Sequence, residues 1–162
     1  MGGSFPTSYI ETIGADFAQK LISTDDGYDI NYQIWDMAGQ QRYDRIRETY
    51  YIGVSALLIV YSVTRPDSLD NIEHNWLVEL TKNNITGVPI VLIGNKIDLV
   101  PEIDKAMIEG SENLKSVIQK KLKVPENKVQ SISTSAKTGE NIEEAFNLLT
   151  DIIVSGIKEV EN

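Results

Sequence analysis

A chain of 162 residues that is 41% hydrophobic and 24% charged is long and apolar enough to bury one sizeable core, and nothing in its composition suggests disorder. Fifteen basic against 24 acidic residues leave a formal charge of −9, which disfavours non-specific binding to nucleic acid or an anionic membrane and favours proteins or small ligands as partners. With no cysteine there is no disulfide, thiolate metal site, cysteine nucleophile or lipid anchor on sulfur in these residues, which fits a cytoplasmic protein.

Met1 to Ser4 reads as an expression scar, and residues 5–162 as a single domain. Phe5 to Gly14 is polar and turn-prone and contains Thr12. It leads into Ala15 to Ser23, whose Phe17 and Leu21 are expected to face a core. Thr24-Asp25-Asp26-Gly27 has the composition of a hairpin turn. Beyond it Tyr28, Ile30, Tyr32 and Ile34 alternate with Asp29, Asn31 and Gln33, so the two strands should form a half-exposed antiparallel pair. Trp35-Asp36-Met37-Ala38-Gly39-Gln40 then reads as a strand end opening into a loop. An acidic residue there can hold a hydrated cation, a glycine admits close backbone approach, and a glutamine can orient a water. Taken alone, such a loop is more often a plain turn.

Gln41 to Tyr51 carries charges at helical spacing. Ala56 to Tyr61 is a continuous apolar run of the kind found in strands covered on both faces, and Val88 to Ile93 is another. A helix starts near Asp67-Ser68 after Pro66, keeps Leu69, Ile72, Trp76, Leu77 and Leu80 on one stripe, and closes at Asn83-Asn84 and Gly87. A linker around Pro101 precedes a helix with Leu114, Val117, Ile118 and Leu122. Val129 to Ser133 is a third buried strand, and a last helix from about Asn141 to Ile157 turns Ile142, Ala145, Phe146, Leu149, Ile152 and Ile153 inward. The lone His74 is expected at the surface of its helix, without a catalytic role. The alternation predicts an α/β fold, doubly wound about a mostly parallel sheet, with one antiparallel edge hairpin.

In such sheets ligands lie beyond the carboxyl ends of the strands, so the loops from Asp36, Asn95 and Ser135 should converge. Asn95 offers an amide that both donates and accepts, the stem of Lys96 can cover a flat ring, and Asp98 offers two acceptor oxygens in a plane. That carboxylate matches the paired N–H donors on guanine's edge. Backbone N–H groups at Ser135, Ala136 and Lys137 can donate to guanine O6 and would leave adenine's amino group facing donors, unpaired. N-K-x-D alone suits a capping turn and S-A-K a polar loop. Both together, each at the end of a buried strand and with D-x-x-G-Q upstream, favour a guanine site.

These motifs resemble those of small GTPases of the Ras superfamily, closest to the Rab branch. Thr12 to Phe17 is similar to the first switch, Trp35 to Gln40 to the second, and Asn95-Lys96-Ile97-Asp98 and Thr134-Ser135-Ala136-Lys137 to the two guanine motifs. The resemblance implies a GTP/GDP switch that hydrolyses GTP with Mg²⁺. It implies that Thr12 and Asp36 hold Mg²⁺, Gly39 contacts the γ-phosphate, Gln40 orients the attacking water, and Tyr9 covers the sugar. It also implies effector, exchange and GTPase-activating proteins as partners. Trp35 is either a partner-facing aromatic or one that packs on its own domain.

The family's first strand, its G-x-x-x-x-G-K-[S/T] phosphate loop and its first helix have no counterpart in these residues. The resemblance places the absent strand between the one ending at Asp36 and the one from Ala56, so the sheet should be split at its centre with two edges unpaired. A complementing N-terminal fragment, a second copy of the chain or a rearranged strand would then fill the gap. Nucleotide binding and hydrolysis are expected to be impaired without such a partner. The alternative is a catalytically inactive, GTPase-like protein-interaction module.

Overall fold

Period-two patterning builds the first unit of the chain. In the computed structural model, which describes residues 12–39 and 41–161, the chain divides into two units, Met1–Gly53 and Val54–Asn162. Met1 to Ser4 lie outside the described residues. In the first unit β1 (Ala15–Ser23) pairs antiparallel with β2 (Asp29–Met37), from Ala15 opposite Met37 to Ser23 opposite Asp29. The turn between them closes with the Thr24 N–H on Tyr28 O at 2.8 Å and the Gly27 N–H on Thr24 O at 3.0 Å. Gly27 sits at φ +89°, which a residue without Cβ adopts freely. Tyr28, Ile30, Tyr32 and Ile34 are half-buried and Asp29, Asn31 and Gln33 exposed, as the alternation requires.

The first strand turns the other way from expectation. Phe17 and Leu21 are 46% and 64% exposed. Register is the reason: Phe17 lies opposite Trp35 and Leu21 opposite Asn31, whereas Lys20 and Ile22 face Tyr32 and Ile30 on the better-covered side. β2 also runs on through Asp36, which is paired opposite Asp16 rather than released into a loop. A 3₁₀ turn at Gln41–Tyr43 and the short helix α1 (Asp44–Tyr50) follow.

Continuous apolar runs build the second unit. β3 (Leu57–Ser62), β4 (Ile90–Asn95) and β5 (Val129–Thr134) form a parallel sheet in the order β3-β4-β5. The central strand is sealed, with Ile90, Val91 and Leu92 inaccessible to solvent. One helical passage comprises α2 (Pro66–Asn71), a π-helical turn (Ile72–Trp76) and α3 (Leu77–Lys82). Pro66 takes the first helical position, where its missing N–H costs nothing. α4 (Lys105–Leu122) is capped by Asp104, whose carboxylate accepts from the Ala106 N–H at 2.8 Å, and α5 (Ile142–Glu161) ends the chain. Leu69, Ile72, Leu77 and Leu80, then Leu114, Ile118 and Leu122, then Ala145, Leu149 and Ile152 are the buried stripes of these helices. None of the described helices is long and apolar enough to cross a membrane.

Among the described residues the strands form two separate sheets, the pair β1-β2 and the trio β3-β4-β5. β3 is not covered on both faces as its apolar run suggested, because Val60 is 53% exposed. Among the described residues β3 has a ladder partner on its β4 side only.

Ile118 on α4 is fully buried, so Ile118→Ala should cost about 2–5 kcal/mol in urea unfolding of the second unit. Val160 is 87% exposed, and Val160→Ala should stay within about 0.5 kcal/mol in the same measurement.

Candidate functional site

The ends of β4 and β5 meet in one corner of the second unit. Beyond Asn95 the chain turns through Lys96 at φ 74° and ψ 34°, a left-handed conformation that side chains other than glycine seldom adopt. Asn95 holds the turn. Its Oδ1 accepts from the Lys96 N–H at 2.8 Å, from the Ala136 N–H at 3.0 Å and from Thr134 Oγ1 at 3.3 Å. Two converging backbone donors require oxygen at that position, so the Asn95 amide nitrogen is left as a donor.

The 3₁₀ turn Ile97–Leu99 then carries Asp98 toward the β5 loop. Its side chain is only 12% exposed and makes an ion pair of 3.8 Å with Lys137 Nζ through Oδ2. Oδ1 accepts from Ser135 Oγ at 2.7 Å. Ser135 is fully buried, its N–H bonded to Glu140 O at 3.0 Å and its Oγ accepting from the Thr138 N–H at 3.1 Å. The structure therefore brings Asn95, Lys96, Asp98, Ser135, Ala136 and Lys137 together. It also shows which backbone donors are committed: those of Ser135 and Ala136 are bonded within the protein. The Lys137 N–H has no partner among the described residues.

The first unit holds the remaining candidates. Thr12 Oγ1 donates to Asp36 Oδ2 at 3.0 Å, so the hydroxyl and carboxylate expected of a metal site are adjacent. Both are hard oxygen donors and suit Mg²⁺, which keeps several waters and needs few protein ligands. No group of three or more His, Cys, Asp or Glu that could hold a metal occurs among the described residues. Asp16 lies directly across the ladder from Asp36, and a cation would offset that like-charge pairing. Gln40 and Tyr9 lie outside the described residues.

Arg47 escaped sequence reasoning. It is 3% exposed, and its Nη1 donates to Ala38 O at 2.7 Å, while the Ala38 N–H bonds Gly14 O at 2.9 Å. Both polar groups of the residue before Gly39 are thereby fixed. In sequence Arg47 is one charge among several at helical spacing, and nothing in that pattern marks it as buried. Trp35 packs tilted against Phe17 with ring centroids 4.8 Å apart and against Tyr50 at 4.7 Å. Phe17 and Trp35 nonetheless keep nearly half their surface exposed.

The model of the Ras family matches residues 1–155. Similar proteins include Ras-related protein Rab-1 of Theileria annulata, 40% identical over 88% of this chain and 60% of the relative. The GTP-binding protein ypt1 of Schizosaccharomyces pombe is 38% identical over 88% of the chain and 64% of its own length. Ras-related protein Rab-13 of Rattus norvegicus is 35% identical over 93% and 69%. The chain thus spans about 60% of the first of these relatives.

Asn95→Ala removes the acceptor shared by the β4 and β5 loops and should destabilise the second unit by about 1–3 kcal/mol in urea. Lys96→Gly relieves the left-handed backbone and should stabilise the same unit by roughly 0.5–1 kcal/mol. Destabilisation by Lys96→Gly would show that the lysine side chain contributes more than its backbone costs.

Proposed function

The chain belongs to the Ras family and is a Rab-like small GTPase, and from that premise we propose that its second unit recognises guanine while its first responds to the terminal phosphate. One observation carries the guanine half. The Asp98 carboxylate is held by Ser135 beside the Asn95 amide, so acceptor and donor are fixed in one corner before any ligand arrives. Asp98 accepts from guanine's ring N–H and amino group, Asn95 Nδ2 donates to N7, and the stem of Lys96 covers the ring. O6 receives the Lys137 N–H, with Ala136 meeting it only by sharing its bond to Asn95. The Asp98 and Lys137 contacts reject adenine by leaving polar groups unpaired, whereas N7 and the ring face are common to both bases.

Thr12 and Asp36 are the residues that would hold Mg²⁺, which when bound neutralises charge on the phosphate oxygens. Gln40 orients a water in line with the γ-phosphorus. The new P–O bond forms as the bond to the β–γ bridging oxygen breaks, giving GDP and phosphate. The Gly39 N–H contacts the γ-phosphate, and Arg47 fixes the residue before it. Loss of that phosphate frees the segments around Thr12 and Gly39. The aromatic face of Phe17, Trp35 and Tyr50 suits an effector, since interfaces favour exposed aromatics. Exchange and GTPase-activating proteins complete the proposed partners, in the cytoplasm.

G-x-x-x-x-G-K-[S/T] does not occur in these residues, and the outer side of β3 is unpaired among the described ones. We propose that these residues alone bind the base better than the phosphates, and that a further segment or a second copy pairs with β3. The same facts favour a second reading, an inactive interaction module that works through the aromatic face.

Titration of the chain with guanosine, adenosine and GDP plus Mg²⁺, followed by amide NMR shifts at Ala136 and Lys137, tests this. Guanosine should bind at least about tenfold tighter than adenosine, a difference of ~1.4 kcal/mol. GDP should exceed guanosine by less than about tenfold. Equal affinity for adenosine would refute guanine recognition, and GDP tighter by orders of magnitude would refute the weak phosphate site.

A further inference from the structure

The loop after β5 returns to the sheet at Asn141, the residue before α5. Asn141 sits at φ 57°, in the left-handed region that asparagine enters more readily than most residues with a side chain. Its carbonyl accepts the Ala145 N–H at 3.0 Å as α5 begins. Its side chain reaches back to the sheet, where Nδ2 donates to Ser133 O at 2.9 Å. A carbonyl partner requires the amide nitrogen on that side. Two reasons for an asparagine here are therefore separable, the backbone conformation and the donor. Ser133 lies on β5, an outer strand of its sheet among the described residues, opposite Gly94 on β4.

The Asn141 bond closes the segment 133–141 at its base. One rung further out the Ser135 N–H bonds Glu140 O at 3.0 Å, and the Gly139 N–H bonds Ser135 O at 2.9 Å. Nearer the tip the Ala136 N–H is held by Asn95 Oδ1 at 3.0 Å and the Thr138 N–H by Ser135 Oγ at 3.1 Å. Lys137 is thus fixed from both sides, through the residue before it and the residue after it. The outgoing leg of the loop continues from β5 and leans on Asn95. The returning leg has no strand to continue, and Asn141 ties it to the β5 backbone two residues before Ser135.

We propose that Asn141 is a positioning residue for this loop: by tying the returning leg to Ser133 O it sets the place of the Lys137 N–H. It touches no ligand. Its effect on base selection rests on the guanine reading above, in which that N–H donates to O6, the atom that sulfur replaces in 6-thioguanosine.

The test uses Asn141→Gly, which keeps the left-handed backbone and removes the donor, and Asn141→Asp, which keeps the shape but sets a carboxylate oxygen against Ser133 O. Amide hydrogen exchange in the ligand-free chain should speed up at Ala136, Thr138 and Gly139 by about threefold in both variants, the effect of losing one exposed hydrogen bond. Exchange at β3 and α4 amides should stay unchanged, which a general loss of stability would not allow. Unchanged or slower exchange at the three loop amides in Asn141→Gly would show that the asparagine serves its backbone conformation alone, and overturns the proposal whatever the ligand does. The guanosine-to-6-thioguanosine affinity ratio is the second readout. Sulfur is the weaker acceptor, so the wild type should favour guanosine. The ratio should fall toward unity in both variants, whereas a merely structural role would weaken both nucleosides equally. An unchanged ratio in a variant whose loop exchanges faster overturns the positioning role. A wild-type chain with no preference for guanosine over adenosine refutes the guanine reading and leaves the exchange result to decide whether Asn141 sets the loop.

Discussion

The corner at the end of β4 depends on one acceptor atom, Asn95 Oδ1. It takes the N–H of Lys96 on its own loop and the N–H of Ala136 on the next, so two loops about forty residues apart in sequence share a single anchor. The anchor permits a left-handed residue at Lys96, which would cost about 1–2 kcal/mol if it were unsupported. It also leaves the other half of the amide as a donor. Ser135 repeats the arrangement one residue earlier, buried itself and donating to Asp98. Polar groups that would be expensive to bury singly are mutually satisfied here, and no buried side-chain polar atom lacks a partner among the described residues. Such preorganisation lets selectivity follow from fixed donors and acceptors rather than from adjustment on binding.

The first unit obeys a different constraint. A two-stranded ribbon has little core of its own, and isolated pairs are marginal in water. Two features stiffen it. The buried Arg47 guanidinium fixes the Ala38 carbonyl, and the rings of Phe17, Trp35 and Tyr50 cover one face. Segments drawn from the less stable part of a molecule are suited to ordering and release by a ligand. The placement of Thr12, Asp36 and Gly39 on this unit is consistent with the sensing role proposed for it.

Strand positions and helix stripes were readable from the sequence because hydrophobic period maps directly onto them. The run from Ala56 became β3 within a residue, and Leu114, Ile118 and Leu122 line the buried side of α4. Register was not readable. Phe17 and Leu21 are apolar and at the right period, but which face they join is fixed by pairing with Trp35 and Asn31, residues beyond the turn. The π-helical turn at Ile72–Trp76 was invisible because an extra residue in one turn leaves the apolar stripe nearly intact. In the site, Asn95, Asp98 and Ser135 were readable as polar residues at strand ends that could meet, and they do meet in one corner. Arg47, which holds the Ala38 carbonyl, was not readable, because it acts through burial and nothing in local spacing marks it.

The central claim is that the Asp98 carboxylate selects the base by accepting from its paired N–H donors. Exchanging that carboxylate for an amide tests it most directly, because xanthine carries a carbonyl where guanine carries its amino group. Asp98→Asn keeps the shape and the acceptor for Ser135 Oγ while turning one acceptor into a donor. Isothermal titration of both proteins with guanosine and xanthosine should show the wild type preferring guanosine and Asp98→Asn preferring xanthosine, each by about tenfold or more. Equal loss of both nucleosides, or a variant that still prefers guanosine, would contradict the assignment.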